Sequence, residues 1–190
     1  MSCNPLYRLF IAIPLPDRQR SVLSCWSEVM QERWPFQTWV HPSDYHITVQ
    51  FLGACTFRQA REVKRELKHV MTEQEPFRLA IRKLGIFGVP TRPRVLWAGL
   101  GGDLDCLQAL YDTVINRVEP LGFEKEKRAY KPHITLAKKY KRNDFPQEEL
   151  PSLFSCGEED LSWTVDEMVL YQTHLYQSPM YQPLAQFDMG

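Results

Sequence analysis

Residues 130–139 read YKPHITLAKK, and residues 44–53 read DYHITVQFLG. Each stretch contains His-Ile-Thr followed by an aliphatic residue, with His46 in the earlier copy and His133 in the later one. These histidines lie 87 residues apart, which is nearly half of the 190-residue chain. Duplication of a strand–helix unit is the most economical explanation of the repeat. We therefore expect a single domain, residues 1–190, built from two pseudo-repeated lobes.

The pattern around each histidine is typical of a half-buried β-strand. Side chains alternate between the two faces of a strand, so His46 shares a face with Thr48, and His133 shares a face with Thr135. The intervening aliphatic residues point to the other face and belong in the core. Each strand therefore presents an imidazole and a hydroxyl, roughly 6–7 Å apart along the chain, on the wall of a cleft.

Two such strands could form one active site for phosphoryl chemistry. That chemistry needs a base for the nucleophile, an acid for the leaving oxygen, and donors for the phosphoryl oxygens. Histidine titrates near neutrality, so one charged and one neutral imidazole can coexist at physiological pH. A single histidine on a strand is more often structural, but two His-x-Thr pairs among five histidines arise by chance on the order of 2% of the time. Spacing alone does not decide which imidazole is the acid.

The rest of the chain mixes strands and helices. Hairpin-like pairs of strands favour antiparallel sheets and an α+β class over a doubly wound parallel sheet. The patterns predict strands at 8–16, 45–53, 77–87, 94–100 and 128–140, helices at 17–33, 57–74 and 103–118, two closing strands within 163–187, and, across 144–160, an acidic loop with at least one helical turn.

Charge and cysteine content narrow the function classes. The formal net charge is zero, which disfavours a protein that coats nucleic acid through many phosphate contacts but allows recognition of a chain end. The five cysteines are scattered without a C-x-x-C pair, so we expect reduced thiols and a cytoplasmic location. The apolar stretch at residues 6–16 is too short to span a membrane. We expect no membrane association, and a monomer as the default.

The doubled motif resembles that of the two-histidine (2H) phosphoesterase superfamily. Within it, the chain is most similar to the RNA 2′,3′-cyclic phosphodiesterases, the LigT-like proteins long called 2′-5′ RNA ligases. The resemblance follows the chain in order. It covers RLFIAIPLP (8–16), VHPSDYHITVQFLG (40–53), PRVLWAGL (93–100), RAYKPHITLAKK (128–139) and LYQTHLYQSPMYQPLAQF (170–187).

This resemblance implies a bilobal, pseudo-symmetric fold in which two antiparallel sheets line a central cleft and helices pack outside. It implies metal-independent, cofactor-free hydrolysis of a terminal RNA 2′,3′-cyclic phosphate to a 2′-phosphomonoester. By the family's pattern, His46 would donate a proton to the departing 3′ oxygen, and His133 would activate water. Thr48 and Thr135 would bind phosphoryl oxygens.

Several residues near the motifs are candidates for binding the RNA end. Positive charge gathers between residues 125 and 142, and Arg128 matches the family's R-x-x-x-P-H pattern, with planar donors that suit a bidentate phosphate contact. Lys131 belongs to the same basic run, and Tyr45 and Tyr130 could stack on a base. The family often has arginine where Lys138 stands. Further candidates for a phosphate contact are Arg8, Arg92 and Arg94, whereas His41, His69 and His174 are interpreted as structural or surface residues.

Other functions are weaker alternatives. A metal hydrolase would need a third ligand and supporting carboxylates, and only His46 has a nearby acid, Asp44. The sequence GLGGDLD lacks the third glycine of a dinucleotide-binding loop, and no G-x-S-x-G motif occurs. Three alternatives remain open: action on 2′-5′-linked oligonucleotides, action on another cyclic phosphate, and a non-catalytic RNA-end binding module.

Overall fold

The structure is a computed structural model that describes residues 7–151 and 160–190. Its strands are β1 (Tyr7–Pro14), β2 (Phe36–Trp39), β3 (His46–Cys55), β4 (Phe77–Val89), β5 (Arg92–Gly102), β6 (His133–Tyr140), β7 (Ser162–Val165), β8 (Glu167–Thr173) and β9 (Tyr181–Asp188). Its helices are α1 (Asp17–Arg33), α2 (Phe57–Thr72) and α3 (Leu104–Val118), with short 3₁₀ turns at Pro42–Asp44, Glu119–Leu121 and Gln147–Glu149.

The strands of the described chain form one curled antiparallel sheet in the order β7-β4-β5-β6-β3-β1-β8-β9, and β2 runs along the free part of β6. Four strands lie on each side of the β3–β6 contact, with a histidine-bearing strand innermost in both halves. Strands β3 and β6 pair directly through one residue pair, Ile47 with Ile134. The predicted α+β class with antiparallel sheets is confirmed. The two expected sheets meet at the Ile47–Ile134 contact between β3 and β6, which is called the seam below.

The same connectivity occurs on both sides of the seam. In the first half β1, α1 and β3 follow in order, and β1 pairs with β3; in the second, β5, α3 and β6 follow in order, and β5 pairs with β6. This arrangement supports a repeated strand–helix–strand unit. Duplication of the unit and the single two-lobed domain stay predictions.

The core lies on the helix-bearing face of the sheet. Ile47 and Ile134 are fully buried and belong to the same cluster as apolar residues of all three helices. Helix α2 shows why: Val63, Leu67 and Val70 recur at helical spacing and are buried, whereas the residues between them are polar, most of them charged. Its first turn is fixed by a capping box between Thr56 and Gln59.

Several element boundaries differ from the sequence-based expectations. The second histidine strand begins at His133, and residues 124–132 form an irregular connection rather than strand. The closing part of the chain holds three strands instead of two, because Asp166 separates β7 from β8. Strand β2 was not predicted, since four residues are too few for a clear alternation.

The acidic stretch contains a 3₁₀ turn at Gln147–Glu149, as expected, but residues 152–159 lie outside the described residues. Of the cysteines, Cys25, Cys55 and Cys106 are free thiols, and Cys3 and Cys156 also lie outside the described residues. Within the part of the chain that the structure describes, no helix combines the length and the apolar character needed to cross a membrane.

The seam makes a prediction about stability. Ile47→Ala should lower the free energy of unfolding by about 2–5 kcal/mol, because it removes a fully buried side chain at the one residue pair between β3 and β6. Urea unfolding followed by circular dichroism measures the change. Val89→Ala is the matched control, since Val89 is also a strand residue but is 62% exposed, and it should change stability by less than about 0.5 kcal/mol. Equal effects of the two substitutions would contradict the importance of the seam.

Candidate active site

The two His-x-Thr pairs meet at the seam. Because Ile47 pairs with Ile134 in antiparallel register, continuation of that register sets His46 across from Thr135 and Thr48 across from His133. Directly opposed side chains in such a pair have Cβ atoms about 4.5–5.5 Å apart. All four polar residues are partly exposed, and the isoleucines behind them are fully buried. The structure therefore brings the predicted imidazoles and hydroxyls together on one face.

His46 is held by two hydrogen bonds that define its tautomer. Its Nδ1 lies 2.7 Å from the carbonyl oxygen of Asp44, which can only accept, so Nδ1 carries a proton. In the neutral ring Nε2 is then an acceptor, and it receives the hydroxyl proton of Thr48 over 2.9 Å. The imidazole is thus oriented from both ends, and its basic nitrogen points along the polar face.

His133 is oriented in the same way. Its Nδ1 donates to the carbonyl oxygen of Lys131 over 2.7 Å, again two residues earlier in the chain. The same argument leaves Nε2 as the basic nitrogen of the neutral ring. Since Nε2 is the basic nitrogen of both rings, either ring can take up or release a proton at that atom.

Burial lowers the pKa of both imidazoles. Loss of solvent lowers the pKa of His46 to about 4, and the positive charges of Lys138 and His133 act in the same direction, against the bond to the Asp44 carbonyl and the Asp44 charge. Loss of solvent is also the main cause of the lowered pKa of His133, with Lys138 contributing. Without a bound anion, both rings are therefore neutral at pH 7.

Aromatic side chains supply much of this burial. Around His46, the ring of Tyr181 packs edge-on at 5.2 Å and that of Phe10 lies at 4.9 Å. Around His133, the ring of Phe87 packs edge-on at 4.9 Å, and Trp97 lies at 6.4 Å. Sequence reasoning missed these residues, because they come from strands β1, β4, β5 and β9, and neither motif contains them.

The indole ring of Trp97 packs closely against the backbone at two glycines of the sheet, Gly85 and Gly99. A Cβ added at Gly85 would lie 2.4 Å from the indole ring, and one added at Gly99 would lie 2.8 Å from it. Lys83 places its Nζ 5.9 Å from the same ring, within range of a cation–π contact. The two glycines therefore allow the indole to lie against the sheet beside His133.

Lys138 belongs to the site because of a bulge in β6. Thr135 pairs with Trp97, and Ala137 pairs with Leu96, which is adjacent to Trp97 in β5. Two steps along β6 therefore match one step along β5, so β6 contains one extra residue. Lys138 then pairs with Val95 and returns to the face that carries Thr135. Its positive charge contributes to the lowered pKa of both imidazoles, although burial is the largest cause for each. Simple alternation from His133 would have placed Lys138 on the opposite face.

Asp44 links the first motif to the closing strands. Asp44 is 6% exposed, and its carboxylate accepts the backbone N–H groups of Met180 at 2.8 Å and Tyr181 at 3.0 Å. Its carbonyl group accepts the proton of His46 Nδ1. One residue therefore fixes the His46 ring and the start of β9, which carries the aromatic neighbour of that ring.

The predicted substrate-binding residues are placed unequally. Tyr45 is 3% exposed and its hydroxyl bonds Ser27 at 2.8 Å, so the structure corrects the expectation that it stacks on a base. Alternation predicts this outcome, since Tyr45 precedes His46 and points to the other face. Tyr130 stacks on Tyr111 at 4.0 Å and donates to the Thr48 carbonyl oxygen, so its ring already has a partner.

Arg128 and Lys131 are exposed in the connection before β6. Arg128 lies 3.4 Å from Glu126 in a surface ion pair, which leaves its guanidinium near solvent and able to exchange partners. The observed contribution of Lys131 is its carbonyl group, which orients His133. A phosphate-binding role for either side chain stays a prediction.

The other histidines have contacts that fit the structural or surface interpretation. His41 Nδ1 accepts the Ser43 N–H at 3.1 Å, and His174 Nε2 bonds the Gln182 side chain at 2.9 Å. His69 is exposed in the last turn of α2. Over residues 7–151 and 160–190, no group of three or more His, Cys, Asp or Glu side chains is arranged to hold a metal ion.

Comparison with known proteins extends over nearly the whole chain. The family profile of the 2′-5′ RNA ligase superfamily matches residues 18–177. A Bacillus subtilis protein named RNA 2′,3′-cyclic phosphodiesterase is 34% identical over 182 residues, which are 95% of this chain and 96% of that protein. A protein of the same name from Geobacillus stearothermophilus is 35% identical over 181 residues; the match covers 95% of this chain but spans only 56% of that longer protein.

Solved structures share the fold. The crystal structure of E. coli LigT complexed with 3′-AMP superposes with a TM-score of 0.78 at 22% identity, covering 97% of this chain and 99% of that one. TT0787 of Thermus thermophilus gives a TM-score of 0.74 at 26% identity, with 96% and 97% covered. The predicted fold family is therefore confirmed.

The hydrogen-bond geometry predicts an NMR result. At pH 7, His46 and His133 should both be neutral Nδ1–H tautomers, and His46 should titrate with a midpoint near pH 4. Long-range ¹H–¹⁵N spectra across an acid titration measure both properties, with His46→Gln and His133→Gln used for assignment. An Nε2–H tautomer, or a His46 midpoint at or above its ordinary value of 6.5, would contradict the site geometry.

Proposed function

This chain belongs to the 2′-5′ RNA ligase superfamily, and we propose that it is a hydrolase that opens the terminal 2′,3′-cyclic phosphate of RNA to a 2′-phosphomonoester. The observation that carries the proposal is the meeting of two His-Thr pairs across the Ile47–Ile134 contact. The names of the Bacillus and Geobacillus relatives support the same reaction.

His133 is proposed as the base. Its Nε2 is the acceptor of the neutral ring, because Nδ1 donates to the Lys131 carbonyl oxygen. The lowered pKa keeps this ring neutral at pH 7, as a base must be before reaction. A water placed against Nε2 would lose its proton as its oxygen bonds to phosphorus.

His46 is proposed as the acid that protonates the departing 3′ oxygen. In the free protein its pKa of about 4 leaves the ring mostly uncharged. A cyclic phosphate brings one negative charge into the cleft, which opposes the charge of Lys138 and raises the pKa of the imidazole. Substrate binding therefore favours protonation of His46. The protonated Nε2 then donates to the leaving oxygen instead of accepting from Thr48.

The hydroxyls and Lys138 are proposed to stabilise the charge on phosphorus. Thr48 and Thr135 lie on the same face as the imidazoles, so their O–H groups can donate to the two non-bridging oxygens. Lys138 supplies a positive charge to the same space. Because two imidazoles, two hydroxyls and an ammonium group fill every role, the proposed reaction requires no metal or other cofactor.

The assignment of biological context is part of the proposal. We propose an RNA 3′ end as the partner, a monomeric single domain, and action in the cytoplasm, where free thiols such as Cys25, Cys55 and Cys106 persist. Ligation is the reverse use of the same groups. The same groups could also act on a 2′-5′-linked oligonucleotide or on another cyclic phosphate. A protein that only binds RNA ends would not need two oriented imidazoles.

The first test is turnover of a short RNA that ends in a 2′,3′-cyclic phosphate, in the presence of EDTA. Wild type should yield a 2′-phosphate, and His46→Ala and His133→Ala should each lower kcat by about 10²–10⁴-fold, because each removes a proton-transfer group. Phosphorus NMR identifies the product.

His69→Ala is the control for loss of an imidazole, since His69 is exposed on α2. It should leave kcat unchanged. Normal turnover by either cleft variant would overturn the mechanism. If folded wild type failed on this RNA but cleaved a 2′-5′-linked oligonucleotide, the substrate assignment would be wrong and the chemistry would stand.

The pKa shifts predict the pH dependence. His46 must be charged and its pKa is about 4, so its active fraction falls tenfold per pH unit above that value. His133 must be neutral, and its lowered pKa means that this condition is met at an acidic pH. The value of kcat/KM should therefore peak below pH 6.5 and decline at higher pH.

The profile of kcat should decline at a higher pH than that of kcat/KM, because it reports the complex, in which the substrate charge raises the pKa of His46. Initial rates across about pH 4–9, with circular dichroism at each pH to monitor folding, test both statements. Flat profiles, or coincident alkaline limbs for kcat and kcat/KM, would contradict the assignment of His46 as the acid.

A further inference from the structure

A second basic pocket lies beyond the histidine cleft. It occupies about 380 Å³ where the start of β5 and the end of β6 meet β2. Four cationic side chains line it, with Gln37 and the ring of Tyr140 between them. These cations are Arg92, Arg94, Lys139 and Lys141.

The charge of this pocket is uncompensated. Its lining contains no carboxylate, and none of its four cations forms a salt bridge with an acidic residue of the described chain. Other cations of the protein do have acidic partners, such as Arg58 with Glu62, Arg117 with Glu66, and Lys125 with Asp112. The chain carries equal numbers of acidic and basic residues, so four cations around one concavity without a lining carboxylate give this surface a positive charge that the protein as a whole lacks. Such a concavity concentrates anions.

The backbone around the pocket is fixed. Lys139 has a φ of 59°, a left-handed conformation that costs free energy for a residue with a side chain. It is held in place by its neighbours, since Tyr140 is buried with its hydroxyl on Asp144, and the Lys141 N–H donates to the Pro35 carbonyl oxygen at 3.0 Å. The backbone that carries Lys139 and Lys141 is therefore preformed.

Strand β6 connects the pocket with the histidine site, and Lys138 lies between them along the chain. This residue directly precedes Lys139 and acts on both imidazoles. From His133 to Lys139 the chain spans six residues of strand, about 20 Å. A ligand held at the imidazoles and extending along β6 would pass Lys138 and reach the pocket.

We propose that this pocket binds a phosphodiester of the RNA strand upstream of the cyclic end, so that the substrate is an oligonucleotide and not a mononucleotide. The inference rests on the proposed function. The two arginines suit a phosphodiester, because a guanidinium can donate two parallel hydrogen bonds to its oxygens. The position of the pocket gives a polynucleotide a second anchoring point that a single nucleoside cyclic phosphate cannot reach.

The test compares an oligoribonucleotide with a nucleoside, both ending in a 2′,3′-cyclic phosphate. The variant R92Q/R94Q/K139N removes three charges; asparagine tolerates the left-handed conformation at 139, and glutamine keeps the β5 side chains polar. The KM for the oligonucleotide should rise about tenfold and its salt dependence should weaken, while kinetics on the nucleoside stay within about twofold.

The matched control is R58Q/R61Q/K68Q, which removes three exposed charges from α2. It should leave both substrates unaffected. Equal KM changes for the pocket and control variants, or parallel changes on the two substrates, would overturn the pocket while leaving the proposed function intact.

A binding measurement separates the two proposals. If wild type hydrolysed neither substrate, the proposed function would fail, and fluorescence anisotropy with a labelled oligoribonucleotide would still decide the role of the pocket. Affinity about tenfold weaker for the pocket variant than for the control variant would support it. Equal affinities would overturn it.

Discussion

The pairing of Ile47 with Ile134 is the contact on which the site depends. Each isoleucine is fully buried, so each strand has only one register that hides its apolar residues. That register sends the histidine and threonine of both strands to the opposite face. The same hydrophobic force that joins the two halves therefore assembles the polar site, and a slip of one residue in either strand would bury an imidazole and expose the core.

The protonation state of the two imidazoles depends on the side chains that surround the seam. Aromatic rings from distant strands remove water from both imidazoles, and Lys138 adds a positive charge. Both effects favour neutral rings, whereas the bonds from each Nδ1 to a backbone carbonyl oxygen fix the tautomer. The resting site is therefore uncharged at its two basic nitrogens but positive in its surroundings, so the arrival of an anion changes its protonation.

The sequence predicts much of this arrangement because strand alternation is a local rule. Alternation places His46 with Thr48 and His133 with Thr135, and it also puts Tyr45 in the core, although the neighbourhood of the motif suggested a role at the substrate. It fails at Lys138, because an extra residue in β6 changes the face. Local patterns contain no information about Phe10, Phe87 and Tyr181, whose places depend on the order of strands in the sheet. The buried carboxylate of Asp44 is equally hidden, since its partners lie 136 and 137 residues away.

Under the proposed mechanism, the lowered pKa values of the two imidazoles also affect the release of product. Opening a cyclic phosphate converts a singly charged diester into a monoester that carries a second ionisable oxygen. A cleft with two permanently protonated imidazoles beside Lys138 would attract that dianion more strongly than the substrate and would become inhibited by what it makes. Rings that return to neutrality once the proposed reaction ends would leave Lys138 as the principal charge, so the burial that lowers both pKa values would also favour release of the dianionic product.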